Sequence, residues 1–206
     1  MDAPGKLLLY GGTFDPPHRG HMNNLRAVME AVHPDKVLVM PAGTPPHKAA
    51  STTSAELRLA MCSCFAAMDP RVEVSRWEID RQGRSYTVNT LQMLRDTYPG
   101  TALYLALGSD MLLNFTQWYR WQTILALATL VVQSRAGGDS ADLHAAADAL
   151  VPYGGRVLFA HAEPVPCASS QIRSGLTDDN TLRRVLPESV REIIRQNGLY
   201  GLQDRV

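Results

Sequence analysis

Six short apolar runs, spaced along nearly the whole chain, constrain its fold more than any other feature. They are "KLLLY" (6–10), "KVLVM" (36–40), "VEVS" (72–75), "ALYLAL" (102–107), "TLVVQ" (129–133) and "RVLFA" (156–160). Continuous apolar character, in place of strict alternation, predicts strands covered on both faces. Helical stretches lie between them at 21–32, 55–68 and 87–97, ending before "HP", "DP" and "PG", and an Ala-rich run covers 139–150. Proline cannot continue a helix, so these stops are expected. Strands alternating with helices predict an α/β fold, doubly wound around a mostly parallel sheet. From 169 onward the chain reads as a helical C-terminal segment. In "PESVREIIRQNG", Pro187 falls near the first turn and Gly198 past the last. With no internal repeat, low-complexity tract or linker, residues 1–206 are expected to form one domain.

Composition narrows the partners. Of 206 residues 45% are hydrophobic, enough for one substantial core. The 20 basic and 20 acidic residues balance, which argues against a nucleic-acid-binding surface. A few local cations would still suffice for a small anionic ligand. Cys62, Cys64 and Cys167 do not suggest a secreted disulfide scaffold. Cys62 and Cys64 would point about 200° apart on a helix and read as small core residues. The first apolar run is too short for a signal peptide or a membrane span. A soluble, cytoplasmic protein with no membrane partner is expected.

In such folds the ligand lies beyond the carboxyl ends of the strands, near the point where strand order reverses. The loop after the first strand, "GGTFDPPHRGH" (11–21), is the most unusual of those segments. Gly11 and Gly12 let a ligand lie against the main chain. Neither a dinucleotide fingerprint nor a P-loop is present. His18 and His21 stand three residues apart where the next helix begins, so both rings can face one side of its first turn. Free backbone N–H groups and the positive end of the helix dipole make that turn an anion site. Imidazole donors beside a phosphate can stabilise charge developing on it, and Thr13 adds a hydroxyl. Zinc ligation or solvated surface histidines are the alternatives. Zinc lacks a second pair of ligands at suitable spacing.

These residues closely resemble the signature of the nucleotidyltransferases that carry a His-x-Gly-His motif, here "HRGH". A late element of that family is matched by "SSQIRSG" (169–175). "PAGTPPHK" (41–48), "ELRLAM" (56–61), "SYTVNTL" (85–91), "GSD" (108–110) and "WYRWQTIL" (118–125) further resemble the bacterial nicotinate mononucleotide adenylyltransferases. The resemblance implies adenylyl transfer from ATP to nicotinate mononucleotide, giving deamido-NAD and pyrophosphate, with Mg²⁺ carried by the ATP phosphates and no metal cage of protein ligands. It implies Gly11, Gly12, Thr13 and Phe14 along the ATP site, and His18 and His21 on the triphosphate. Asp110 would bind the ribose, with Gly108 allowing close approach, and Ser169, Ser170 and Arg173 would hold the triphosphate from the other side. For the acceptor it implies Thr87, Trp118 and Tyr119 around the pyridine ring, with His47 and Lys48 on its phosphate and Arg135 as a further contact. An indole face suits a pyridinium cation independently of any relative.

Several residues also have bland readings. Thr87 also reads as the N-cap of the helix at 88–97, Trp121 reads mostly as core, and Arg58 and Met61 belong to a helix packed beneath the loop. The chain departs from its relatives at Ala168, where a serine is usual. It departs again at Ala42 and Gly43, where many place an asparagine, so that recognition of a carboxylate there must rely more on main-chain donors. The long stretch 41–54 is expected to act as a lid that brings His47 and Lys48 to the acceptor. The competing functional readings are phosphopantetheine or nicotinamide mononucleotide as acceptor, a cytidylyltransferase, and a nucleotide sensor without turnover.

Overall fold

All six apolar runs are strands: β1 (Lys6–Gly12), β2 (Lys36–Pro41), β3 (Val72–Val74), β4 (Ala102–Gly108), β5 (Ala128–Arg135) and β6 (Val157–Ala162). The computed structural model describes residues 3–44, 53–135, 141–163, 165, 167–175 and 178–206. The strands form one sheet in the order β3-β2-β1-β4-β5-β6, and every neighbouring pair is parallel. Strand order reverses between β1 and β4, so the loops after these two strands flank the crevice.

The helices are α1 (Arg19–Val32), α2 (Ala55–Met61), α3 (Ser63–Ala66), α4 (Trp77–Asp80), α5 (Thr87–Thr97), α6 (Ser109–Leu113), α7 (Trp121–Leu127), α8 (Ala141–Asp148), α9 (Ser169–Arg173), α10 (Asp179–Val185) and α11 (Glu188–Asn197). Both faces of the sheet are covered, which explains the unbroken apolar runs. Leu8, Tyr10, Val37, Val39, Ala106 and Val131 point into one core, packed with α1 and the C-terminal helices. Leu7, Leu9, Leu38, Met40, Leu105 and Leu130 point into the other, under α5 and α7.

Three local differences from the sequence reading have physical causes. The single helix expected over 55–68 is broken at Cys62, whose backbone (φ −69°, ψ −7°) ends α2. Cys62 and Cys64 are both buried in the core as free thiols, and burial pushes the Cys64 thiol up to about 12. Thr87 is not a cap but the first residue of α5, whose capping position is Tyr86. The short helices α4, α6 and α7 went unforeseen because none is long enough to show a 3.6-residue period. No helix among the described residues is long and apolar enough to cross a membrane.

Candidate active site

The first loop is fixed from the sheet outward. Its Phe14 has positive φ (50°) and turns its ring inward, 5.5 Å from the Tyr10 ring, 5.1 Å from Phe65 and 5.4 Å from His21. Phe14 therefore borders the cleft only at its edge; its ring is core. Nothing lies within 4 Å of where a side chain on Gly11 would begin, and Gly11, Gly12 and Thr13 form open floor.

The histidine pair caps α1 reciprocally. His18 is the N-cap, and its Nδ1 accepts from the Gly20 N–H at 3.1 Å. His21 Nδ1 accepts from the His18 N–H at 3.3 Å, and the two rings lie 3.9 Å apart. Gly20 is required between them, because a Cβ there would sit 2.8 Å from His18 Nδ1. An Nδ1 that accepts leaves its proton on Nε2, so the caps select the tautomer that presents Nε2–H as a donor. His18 is 5% exposed, and burial lowers its pKa to about 4. At neutral pH it is an uncharged donor packed behind His21. Of the two rings, His21 is the one on the cleft wall.

Across the cleft, α9 is latched to the first loop. Ser169 Oγ donates to the Pro16 carbonyl at 2.9 Å, and Arg173 Nη1 donates to the Asp15 carbonyl at 2.6 Å. The Ser169 proton expected to meet phosphate is thus spent on holding the loop. Ser170 is exposed and does not line the cleft. Arg173 does line it, with its side chain 38% exposed. Ala168 offers no capping oxygen, and its N–H donates to Gln171 Oε1 at 3.1 Å. Asp110 lies at the start of α6 on the same wall. A Cβ on Gly108 would lie 2.8 Å from Asp110 Oδ1, so the close approach this glycine permits is that of the aspartate itself. Together these residues bound a cavity of about 560 Å³.

A second lobe, about 470 Å³, shares Gly11, Gly12, Thr13 and Asp110 with the first. Thr87, Trp118 and Tyr119 all line it, as do Ala42, Tyr86 and Glu78. Tyr119 is 53% exposed, and its ring sits 4.7 Å from Tyr86. Trp121 lies outside the lobe, packed against Phe115 and Tyr153, as its core reading required. The main-chain donors expected to serve at Ala42 and Gly43 are already engaged. The Ala42 N–H donates to the Gly12 carbonyl at 2.9 Å, and the Gly43 N–H to Ser85 Oγ at 3.1 Å. Position 43 cannot take a side chain, since a Cβ would lie 2.2 Å from the Glu78 carbonyl oxygen. His47 and Lys48 lie outside the described residues. Arg135 ends β5, and its side chain is also outside the description.

Sequence reasoning missed three contributors. Glu78 is 9% exposed in the aromatic lobe, where burial raises its pKa and Thr90 Oγ1 donates to it at 2.5 Å. Arg58, placed beneath the loop by the sequence reading, is fully buried and braces both lobes. Its Nη1 donates to the Thr13 carbonyl at 2.8 Å and its Nη2 to the Gly43 carbonyl at 3.1 Å. Tyr200, from the far end of the chain, donates to Asp15 Oδ1 at 2.7 Å. Apart from the aspartate inside "FDPPH" and the glycines around "LY", nothing in the sequence signalled these links.

A parallel sheet with a glycine-ended first strand, a histidine-capped helix and an opposing arginine is the architecture of a Rossmann-like nucleotidyltransferase. The chain is similar to the "Probable nicotinate-nucleotide adenylyltransferase" of Acidithiobacillus ferrooxidans, 38% identical over 94% of this chain and 95% of that one. It is 37% identical to the protein of the same description from Aeromonas salmonicida, over 97% and 98% of the two chains. The nicotinic acid mononucleotide adenylyltransferase of Plasmodium falciparum, solved in complex with NaAD, shares the fold with a TM-score of 0.75 at 16% identity, covering 95% of this chain and 97% of that one. The chain belongs to the cytidylyltransferase-like family, whose profile matches residues 9–175, and within it to the nicotinate-nucleotide adenylyltransferases.

Proposed function

We infer that this protein transfers the adenylyl group of ATP to the phosphate of nicotinate mononucleotide, forming nicotinate adenine dinucleotide and pyrophosphate, a step of NAD biosynthesis. One observation carries the reading: a donor-rich lobe with His21 and Arg173 and an aromatic lobe with Trp118 open onto the same glycine floor. Two anionic substrates can therefore meet over the floor of Gly11, Gly12 and Thr13 that the lobes share.

An oxygen of the acceptor phosphate attacks the α-phosphorus of ATP, and the bond to the bridging oxygen of pyrophosphate breaks. No protein nucleophile is needed, so the chain's contribution is positioning and charge neutralisation. Arg173 supplies a permanent cation with a fixed donor fork. His21 supplies a ring N–H donor on the cleft wall, and His18, packed behind it, holds that ring in place. Asp110 is assigned to a ribose hydroxyl. Trp118 is assigned to the pyridinium ring, where an indole face is worth about 1 kcal/mol or more. The N–H groups of Thr87 and Val88, at the start of α5, which has no side-chain cap, are the main-chain donors assigned to the acceptor's carboxylate, beside the Thr87 hydroxyl. His47, Lys48 and Arg135 are assigned to the acceptor phosphate.

The divalent ion fits as part of the nucleotide. The donors that line the triphosphate lobe are chiefly N–H groups, which complement a magnesium–ATP complex that is still net negative. When bound, Mg²⁺ neutralises the charge that gathers on the leaving pyrophosphate. We also take the chain as one unit working in the cytoplasm, in keeping with its three free cysteines.

The test is pyrophosphate release with ATP and Mg²⁺, offering nicotinate mononucleotide, nicotinamide mononucleotide and phosphopantetheine separately. Release that is much faster with the nicotinate acceptor is expected. Equal release with the nicotinamide compound would make the enzyme dual-specific. No release with any acceptor would overturn the reading.

A further inference from the structure

The C-terminal end of the chain carries backbone strain in an unusual place. Gly198, Tyr200 and Gly201 all have positive φ, at 58°, 59° and 65°. Glycine adopts that region freely, whereas a tyrosine there costs about 1 kcal/mol. The strained residue delivers its phenol to the first loop. Tyr200 Oη accepts from Thr53 Oγ1 at 3.3 Å and donates to Asp15 Oδ1 at 2.7 Å, across 185 residues of sequence.

Asp15 is 4% exposed; the Tyr200 phenol and Arg173 are among its partners, and the buried Arg58 guanidinium interacts with it electrostatically. One carboxylate oxygen, Oδ1, accepts the phenol hydrogen bond. The other, Oδ2, lies 3.9 Å from Arg173 Nε, while the Asp15 carbonyl accepts from Arg173 Nη1. A carboxylate beside a guanidinium tends to close into a two-bond fork. Here that fork would engage the cation lining the triphosphate lobe. Burial, and then the Asp15 hydrogen bond, hold the Tyr200 pKa well above its ordinary value, so the phenol remains a donor at every working pH.

We propose that Tyr200 is a positioning residue for Arg173: by occupying Asp15 Oδ1 it keeps the carboxylate from closing on the guanidinium, which stays directed to the triphosphate of ATP. The inference rests on the adenylyl-transfer reading for the identity of the anion. On this view Asp15 competes with the nucleotide for Arg173, and the C-terminal turn holds that competitor back.

The test measures equilibrium binding of ATP with Mg²⁺, without acceptor, to the full-length wild type, Tyr200→Phe, Asp15→Asn and the double variant, with a thermal midpoint for each. Tyr200→Phe is expected to weaken ATP binding about tenfold or more, the order of one charge-assisted hydrogen bond. Asp15→Asn is expected to bind ATP at least as tightly as wild type. The double variant should recover most of the lost affinity even where its midpoint stays low, which loss of structure alone would not produce. Binding by Tyr200→Phe within twofold of wild type would overturn the proposal, as would a loss that persists in the double variant. Should Tyr200→Phe fail to fold, weaker ATP binding by Asp15→Asn alone would overturn it, and binding at wild-type strength or tighter would support it. Absence of pyrophosphate release by the wild type would count against adenylyl transfer alone, because these affinities are measured without acceptor.

Discussion

The two lobes of the cleft are built on different principles. The lobe assigned to the triphosphate is a lattice of hydrogen bonds between segments far apart in sequence: α9 on Pro16 and Asp15, Tyr200 on Asp15, Arg58 on Thr13. The acceptor lobe is mostly ring surface, with Tyr86 against Tyr119 and Trp118 against Phe115. Polar lattices have strict geometry, and each lost partner leaves a buried group unsatisfied. Ring walls tolerate small shifts. A site that must bring a phosphorus atom in line with an incoming oxygen places its strict geometry around the reacting phosphates and leaves tolerance around the ring.

The comparison can be broken most severely at His18. His18→Ala is expected to lower turnover by about a hundredfold or more, because the His21 ring on the cleft wall loses the ring packed behind it that aims its donor, while ATP affinity changes far less. Steady-state kcat beside equilibrium ATP binding decides it, and near-normal turnover would move the catalytic role elsewhere. Arg58 braces the floor that both lobes share, at Thr13, and the loop after β2, at Gly43. Arg58→Met is expected to cost about 2–3 kcal/mol of stability, since two hydrogen bonds from a buried cation are lost, and to raise KM for both substrates. An effect on one substrate alone would show that the lobes are supported separately. Trp118→Ala sharpens the contrast: acceptor KM should rise about tenfold, from lost cation–π and apolar contact, with the KM for ATP unchanged.

A further test concerns pH. Burial lowers the His18 pKa from 6.5 to about 4, so below pH 6.5 the unfolded chain takes up a proton that the folded chain refuses. Stability from this group is complete above pH 6.5 and is lost as pH falls toward 4, by at most about 1.4 kcal/mol per unit. Thermal midpoints of wild type and His18→Asn should therefore converge on acidification through that window. Parallel curves would show that His18 takes its proton in the folded state.

The sheet was legible because parallel strands buried on both faces announce themselves as unbroken apolar runs, and each of the six was read within a few residues. The triphosphate lobe was half legible: "GGTFDPPHRGH" and "SSQIRSG" named its two walls, because phosphate contact demands particular side chains at fixed spacing. What joins those walls was not legible. Nothing local marks Tyr200 as a partner of Asp15 or Arg58 as the brace of Thr13 and Gly43, since each link is made only when the chain has folded. Ser169 reads from the sequence as a phosphate contact, yet it opens α9 and its hydroxyl donates to the Pro16 carbonyl. A side chain's direction depends on its neighbours in space. The engagement of the Ala42 and Gly43 N–H groups was hidden for the same reason.

Strand order also governs when the active site can come into being during synthesis. β1 lies at the centre of the sheet, paired on one side with β2 and on the other with β4, where Lys6 meets Ala102. Its second edge therefore stays bare until roughly half the chain has been made, and such long-range parallel pairing is slow. The loop that follows β1 waits longer still, for α9 to arrive and finally for Tyr200. The first functional segment to leave the ribosome is thus the last to be completed, and a chain halted short of its final turn would carry the whole signature motif without the contacts that set it.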